Sequence, residues 1–140
     1  MKPHIGEDFV HPMHEEKIAA EKAVVIAKSL LMCMQVQHVS VNITFSARVY
    51  RRRWGTCFYD KPLEYRINLY SKGQNVGTQV HELAHVVNKV QTGRLGHTPM
   101  FGVYHARMLW TAMMLLRKDP WFAIPHISPQ LKELAACRAR

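Results

Sequence analysis

His81, Glu82 and His85, with a third histidine at His97, are the residues of this chain best able to do chemistry together. Side chains four apart on a helix share a face, so His81 and His85 can present two imidazoles to a single metal ion. Glu82 stands one step around the helix from His81. That offset lets its carboxylate flank a metal without binding it, where it can take a proton from a water on the ion. The spacing is the H-E-x-x-H pattern, whose chemistry is metal-assisted hydrolysis of a peptide bond. Zinc suits the donors: imidazole nitrogen binds it well, and a catalytic site needs only three protein ligands with one position left open.

These residues need a helix and a return. Val80, Leu83, Ala84 and Val87 form an apolar stripe at helical spacing around the motif. Asn75 is a suitable N-cap, and the helix is expected to run to about Gln91, with Gly93 ending it. Gly93-Arg-Leu-Gly96 then frees the chain to turn back, as it must if His97 is to reach a metal held by the preceding helix. Thr98-Pro99, a cap followed by proline at the first helical position, opens the next helix, expected over Pro99–Lys118. On that helix Tyr104 and His105 are candidates for a second stabiliser of an oxyanion. The competing reading makes them a core tyrosine and a surface histidine.

Upstream, apolar residues recur at helical steps from His14 to Gln37, and glutamates cluster at the start of that stretch. Val39–Phe45 and Glu64–Tyr70 alternate as strands do, and Arg48–Tyr59 is a further extended stretch interrupted by Gly55. Short connections between the three predict a small antiparallel sheet. The expected class is α+β: an N-terminal helix, a three-stranded antiparallel sheet, the motif helix and a following helix. One domain is expected over 1–140, with an irregular arm at 1–13, a core at 14–117 and a tail at 118–140. Ser128-Pro129 opens a short helix in that tail, through Ala136.

The chain has 140 residues, 48% of them apolar and 21% charged, which suits a globular domain with a real core. No apolar run approaches a membrane span, and the polar N-terminus is unlike a secretory signal, so no membrane partner and a cytoplasmic location are expected. Cys33, Cys57 and Cys137 are scattered and odd in number, which points to free thiols in a reducing compartment. The net charge is +9, concentrated in Arg48, Arg51, Arg52 and Arg53 beside Tyr50 and Trp54. Arginines interleaved with aromatics can grip phosphates and stack bases, so DNA is a candidate partner. The same residues would equally serve as a solvated face.

Three segments in order, Arg53-Trp-Gly-Thr-Cys57, Val80-His-Glu-Leu-Ala-His-Val86 and Gly96-His-Thr-Pro-Met-Phe101, make the chain similar to the SprT-like zinc metallopeptidases. The similarity spans roughly residues 14–117, with Thr98 standing where that family usually has glycine. It implies a zincin-like minimal fold, Zn²⁺ held by His81, His85 and His97, Glu82 as general base, and a protein or peptide substrate, including DNA-associated proteins. A nucleoid-associated protein, or a phage protein in host cytoplasm, would fit. The competing expectation is a basic nucleic-acid-binding protein whose zinc site is structural or vestigial.

Overall fold

The computed structural model describes residues 12–116. In chain order they form helix α1 (Ala20–Cys33), strands β1 (Ser40–Phe45), β2 (Gly55–Lys61) and β3 (Glu64–Leu69), and helices α2 (Val76–Thr92) and α3 (Pro99–Leu115). The class is α+β, as the periodicities imply. The arm before Pro12, the basic residues from Arg117 onward and the expected helix at Ser128–Ala136 lie outside the described residues.

Helix α2 is the centre of the packing. Val76, Val80, Leu83, Ala84, Val86 and Val87 are all buried, and with them Gln79 and Asn88. Around α2 lie Ala23, Ile26, Leu30 and Leu31 of α1, Tyr65, Ile67 and Leu69 of β3, and Phe101, Met108, Leu109 and Met113 of α3. The side chain of Asn75 caps α2 by accepting from the Thr78 amide at 2.8 Å. Gly93 ends it in the left-handed region at φ 81°, one residue past the helix as expected from its freedom there. Thr98 caps α3 with proline in its first turn.

The first helix is shorter than the periodicity predicts. A 3-10 turn covers Pro12–Glu15, and residues 16–19 run extended beside the start of α2. There the Glu16 carbonyl accepts from the Val76 amide (2.9 Å), and the Ile18 amide donates to the Gln74 carbonyl (3.2 Å). The first bond satisfies the Val76 amide, one of those that α2 leaves orphaned at its first turn, and the two together hold 16–19 out of the helix. At the other end Gln35 takes φ 61°. The Val36 amide reaches back to Leu31 at 2.8 Å, and Val36 is buried. That is a Schellman stop with its hydrophobic contact, built here without glycine.

The sheet corrects the expected antiparallel arrangement. Its order is β1-β3-β2, with β1 parallel to β3 and β2 antiparallel to β3. A simple meander would put β2 in the centre, but only β3 has the apolar face for it: Tyr65, Ile67 and Leu69 are buried, whereas Phe58 to Lys61 of β2 are exposed. The strand that buries most takes the middle place.

The expected long strand Arg48–Tyr59 is therefore two things. Residues 46–54 cross the end of β3, tied by Ser46 N to Leu69 O (2.9 Å), Ser71 N to Arg48 O (3.0 Å) and Tyr70 N to Trp54 O (2.9 Å). Only from Gly55 does the chain pair as a strand.

Gly73 makes this crossing possible. A Cβ there would lie 1.9 Å from the Trp54 carbonyl oxygen and 2.6 Å from its carbon, a clash with backbone that cannot rotate away. Gly73→Ala is expected to destabilise the protein by about 3 kcal/mol, the upper end for overpacking. Denaturant unfolding of the purified variant checks this.

Candidate metal centre

His81 and His85 project from the middle of α2, one turn apart, with ring centroids separated by 5.2 Å. The chain leaves α2 at Gly93 and comes back, so that the His97 ring lies 5.2 Å from that of His81 and 4.7 Å from that of His85. One ring nitrogen from each of the three falls within 4.8 Å of the others, an arrangement able to hold a metal ion. His81 is buried, His85 half-buried and His97 exposed, so the centre opens to solvent on the His97 side.

One donor pair is spaced as two ligands of a shared ion would be. Nε2 of His81 and Nε2 of His97 stand 3.2 Å apart. Two nitrogens each bound at 2.0–2.1 Å to a tetrahedral ion would be about 3.3–3.4 Å apart. His85 is oriented from behind: its Nδ1 lies 2.5 Å from the Leu95 carbonyl. A carbonyl can only accept, so Nδ1 carries the proton and Nε2 keeps its lone pair. This is the outer-sphere partner that metal-binding imidazoles characteristically have.

Phe101 forms the floor. It is fully buried, and its ring lies 5.1, 4.4 and 4.7 Å from those of His81, His85 and His97. The Thr98 hydroxyl caps its amide at 3.3 Å, so the cap of α3 also sets where this floor sits. His105, one turn further along α3, is buried as well. It stacks on Phe101 at 5.7 Å and lies edge-on to His81 at 5.3 Å. The expectation of a surface histidine there is corrected, because α3 turns this face inward onto α2. Tyr104 does not join the cluster. It packs at the edge of the core, with the Arg107 guanidinium 6.0 Å over its ring.

Glu82 is buried on α2 and is not one of the grouped ligand atoms. It faces the start of β2: a Cβ on Gly55 would sit 3.1 Å from Glu82 Cγ and 3.1 Å from Thr78 Cγ2. Glycine at 55 thus leaves the carboxylate its space. Burial pushes the Glu82 carboxyl up to about 8. Cys57, also on β2, is a free thiol pushed up to about 12 by burial and then by the charge of Glu82. A thiol so disposed is a poor nucleophile and a poor ligand.

The basic residues lie elsewhere on the same path. Arg48, Arg51, Arg52 and Arg53 are exposed on the crossing segment, and Trp54 is half-buried. Arg48 donates to the Tyr50 hydroxyl at 3.1 Å, and Arg53 lies 5.6 Å over the Tyr50 ring. Trp54 packs edge-on to His14, whose buried ring sits against Gly77. His14 is therefore a packing residue on α2. Trp54 directly precedes the Gly55 that accommodates Glu82, so the arginines lead into the site.

Two residues that shape the site are not marked for that role by the sequence: Gly55, which reads only as an interruption of the Arg48–Tyr59 stretch, and Asn88. Each had a faint signal: a glycine inside a strand marks a close approach, and an asparagine three residues after His85 shares its helix face. Among the described residues no helix is long and apolar enough to cross a membrane. No known protein family, curated protein or solved structure matches the chain. The site alone therefore carries the functional argument.

The Glu82 carboxyl gives the metal-free protein a pH signature. Its ordinary value is 4.5 and its folded value about 8, so the folded state holds the proton more tightly than the unfolded state. The stabilisation is complete below about pH 4.5 and is lost as pH rises through about 8. In the metal-free protein, the melting temperature of wild type relative to Glu82→Gln should fall steadily across that window. A difference independent of pH would contradict the burial argument.

Proposed function

We propose that this protein is a zinc-dependent endopeptidase that uses His81, His85 and His97 as ligands and Glu82 as general base. One observation carries the reading: three imidazole nitrogens converge, and the residue next in the chain to the first of them is a buried carboxylate that is not itself part of the ligand group. A structural metal site has no use for a base held at that place. When bound, zinc supplies Lewis acidity, which lowers the pKa of water and polarises a carbonyl oxygen.

The remaining work falls to the chain. His85, fixed by the Leu95 carbonyl, and His97, returned by the Gly93–Thr98 loop, complete the ligand set begun by His81. Glu82 accepts a proton from the attacking water and returns it to the leaving amine. Burial makes it a stronger base than a surface glutamate, and the charge of a bound dication would draw its pKa back toward ionisation near neutrality. Gly55 keeps the carboxylate from being crowded, and Phe101 closes the floor against water. His105, beside His81 and Phe101, remains the candidate for charge stabilisation.

A second reading is favoured by the four exposed arginines on the crossing segment: the protein binds DNA or another polyanion. It is compatible with the first, since the segment runs into Gly55 and would bring DNA-associated proteins near Glu82. Salt-dependent DNA binding that persists in Glu82→Gln, with no proteolysis by wild type, would favour it over hydrolysis.

Glu82→Gln is expected to retain zinc at wild-type stoichiometry while hydrolysis falls by about 10²–10⁴-fold, the range for loss of a general base. Metal analysis alongside cleavage of an unfolded protein substrate, with and without DNA, tests this. A fully active Glu82→Gln protein would refute the mechanism. His97→Ala should lower zinc affinity, and undiminished binding would remove His97 from the ligand set.

A further inference from the structure

We infer that Asn88 is a positioning residue for the third ligand: its side-chain amide locks the loop that carries His97, so that the metal centre is preorganised. The inference rests on the three-histidine centre but not on peptide hydrolysis.

Asn88 is on α2, three residues beyond His85, and is completely buried. Its Nδ2 donates to the Arg94 carbonyl at 3.0 Å and to the Gly96 carbonyl at 3.2 Å. The Thr98 hydroxyl lies 3.2 Å from the same nitrogen and 3.4 Å from Oδ1. On the other side, Oδ1 accepts from the Thr92 hydroxyl at 3.1 Å. Two carbonyl acceptors fix which end of the amide is which, because only the NH₂ can face them. Between them the Leu95 carbonyl meets His85 Nδ1. Three successive carbonyls, those of Arg94, Leu95 and Gly96, are thus turned toward α2 immediately before His97.

Little apolar packing holds this loop. From Gly93 to His97 every residue is exposed except Leu95, which is half-buried, and neither Gly93 nor Gly96 has anything near the position of a Cβ. A loop with so little apolar burial is ordinarily mobile. The start of the loop is tied back to α2 by Gly93 N to Lys89 O (2.8 Å), Lys89 Nζ to Gly93 O (3.1 Å) and Arg94 N to the Thr92 hydroxyl (3.3 Å). From the Arg94 carbonyl to that of Gly96, the hydrogen bonds of one buried amide and one imidazole supply the order. Asn88 also reaches the Thr98 hydroxyl that caps α3, and so links the His97 loop to the helix that seats Phe101. A preorganised ligand loop spares metal binding the entropy of ordering it.

The test measures Zn²⁺ affinity by competition with a chromophoric chelator, using the full chain as wild type, Asn88→Ala, His97→Ala and the double variant. Asn88→Ala should bind Zn²⁺ about 10–100-fold more weakly, the usual effect of removing an outer-sphere partner, with an unchanged far-ultraviolet circular dichroism spectrum. In the His97→Ala background the same substitution should have almost no further effect, because its influence passes through His97. Equal losses in the two backgrounds would mean general destabilisation and would overturn the inference, as would wild-type affinity in Asn88→Ala. If His97→Ala itself keeps wild-type affinity, the three-histidine reading falls, and this inference with it.

Asn88→Asp provides an isosteric second variant should the alanine protein fold poorly. It keeps an acceptor for Thr92 but sets an oxygen against the two carbonyls, so it too should lose affinity, and normal binding would count against the role. In the metal-free protein, ¹⁵N relaxation should show order parameters at Arg94–His97 falling from about 0.85 toward 0.6 in Asn88→Ala, with the α2 amides unaffected. Unchanged order in that loop would overturn the preorganisation.

Discussion

Helix α2 is buried on almost every side, and that single constraint shapes the rest of the molecule. A helix surrounded by α1, β3 and α3 would ordinarily be apolar throughout, yet this one carries Gln79, His81, Glu82 and Asn88 inward. Burying such groups is costly unless they are hydrogen-bonded or given a charge to meet. Gln79 donates to the Ala23 carbonyl of α1 at 2.6 Å, and Asn88 donates to the loop before His97. Glu82 responds by holding its proton more tightly. His81 lies among other aromatic rings and within ligand distance of His97. The polar positions of α2 therefore divide into those that fasten neighbouring elements and those that make the site.

The surrounding elements meet these demands mainly by getting close. Gly55 lets β2 approach Glu82, Gly73 lets the chain after β3 pass under the Trp54 carbonyl, and Gly77 lets His14 lie on α2. In each case the absent side chain is the structural contribution. The mixed sheet follows from the same economy of space. With β3 in the centre, the crossing segment must pass over its end, and this delivers Trp54 and Gly55 to the carboxylate side of α2. An antiparallel meander with β2 in the middle would have had no such crossing segment.

Phe101 shows how packing and chemistry are shared here. As one of the largest fully buried side chains it belongs to the core, yet its ring touches all three candidate ligands and His105. Rigid aromatic backing limits the rotamers available to the imidazoles, and ligand geometry depends on such support. The site is therefore less a cavity lined by histidines than an extension of the core in which one face is polar and open.

Features set by neighbours along the chain were legible in the sequence. His81 and His85 share a face because of helical spacing, Asn75 and Thr98 cap because of their own short polar side chains, and Gly93 ends α2 because it alone accepts that backbone cheaply. The alternation of Tyr65, Ile67 and Leu69 marked the inward face of β3 in the same way. Strand order, the split of Arg48–Tyr59 into a crossing segment and a strand, and the inward turn of His105 were not legible. Those depend on which surfaces compete best for burial against α2, a comparison between distant segments that no local pattern records. Asn88 belongs with them: its letter gives a polar residue on a helix, and only the returning loop gives it three partners. The sequence by itself determined which groups could hold a metal and that a carboxylate adjoins the first of them on the helix. The tertiary structure decided that His97 comes within ligand reach of His81 and His85, because only folding turns the carbonyls before it onto α2.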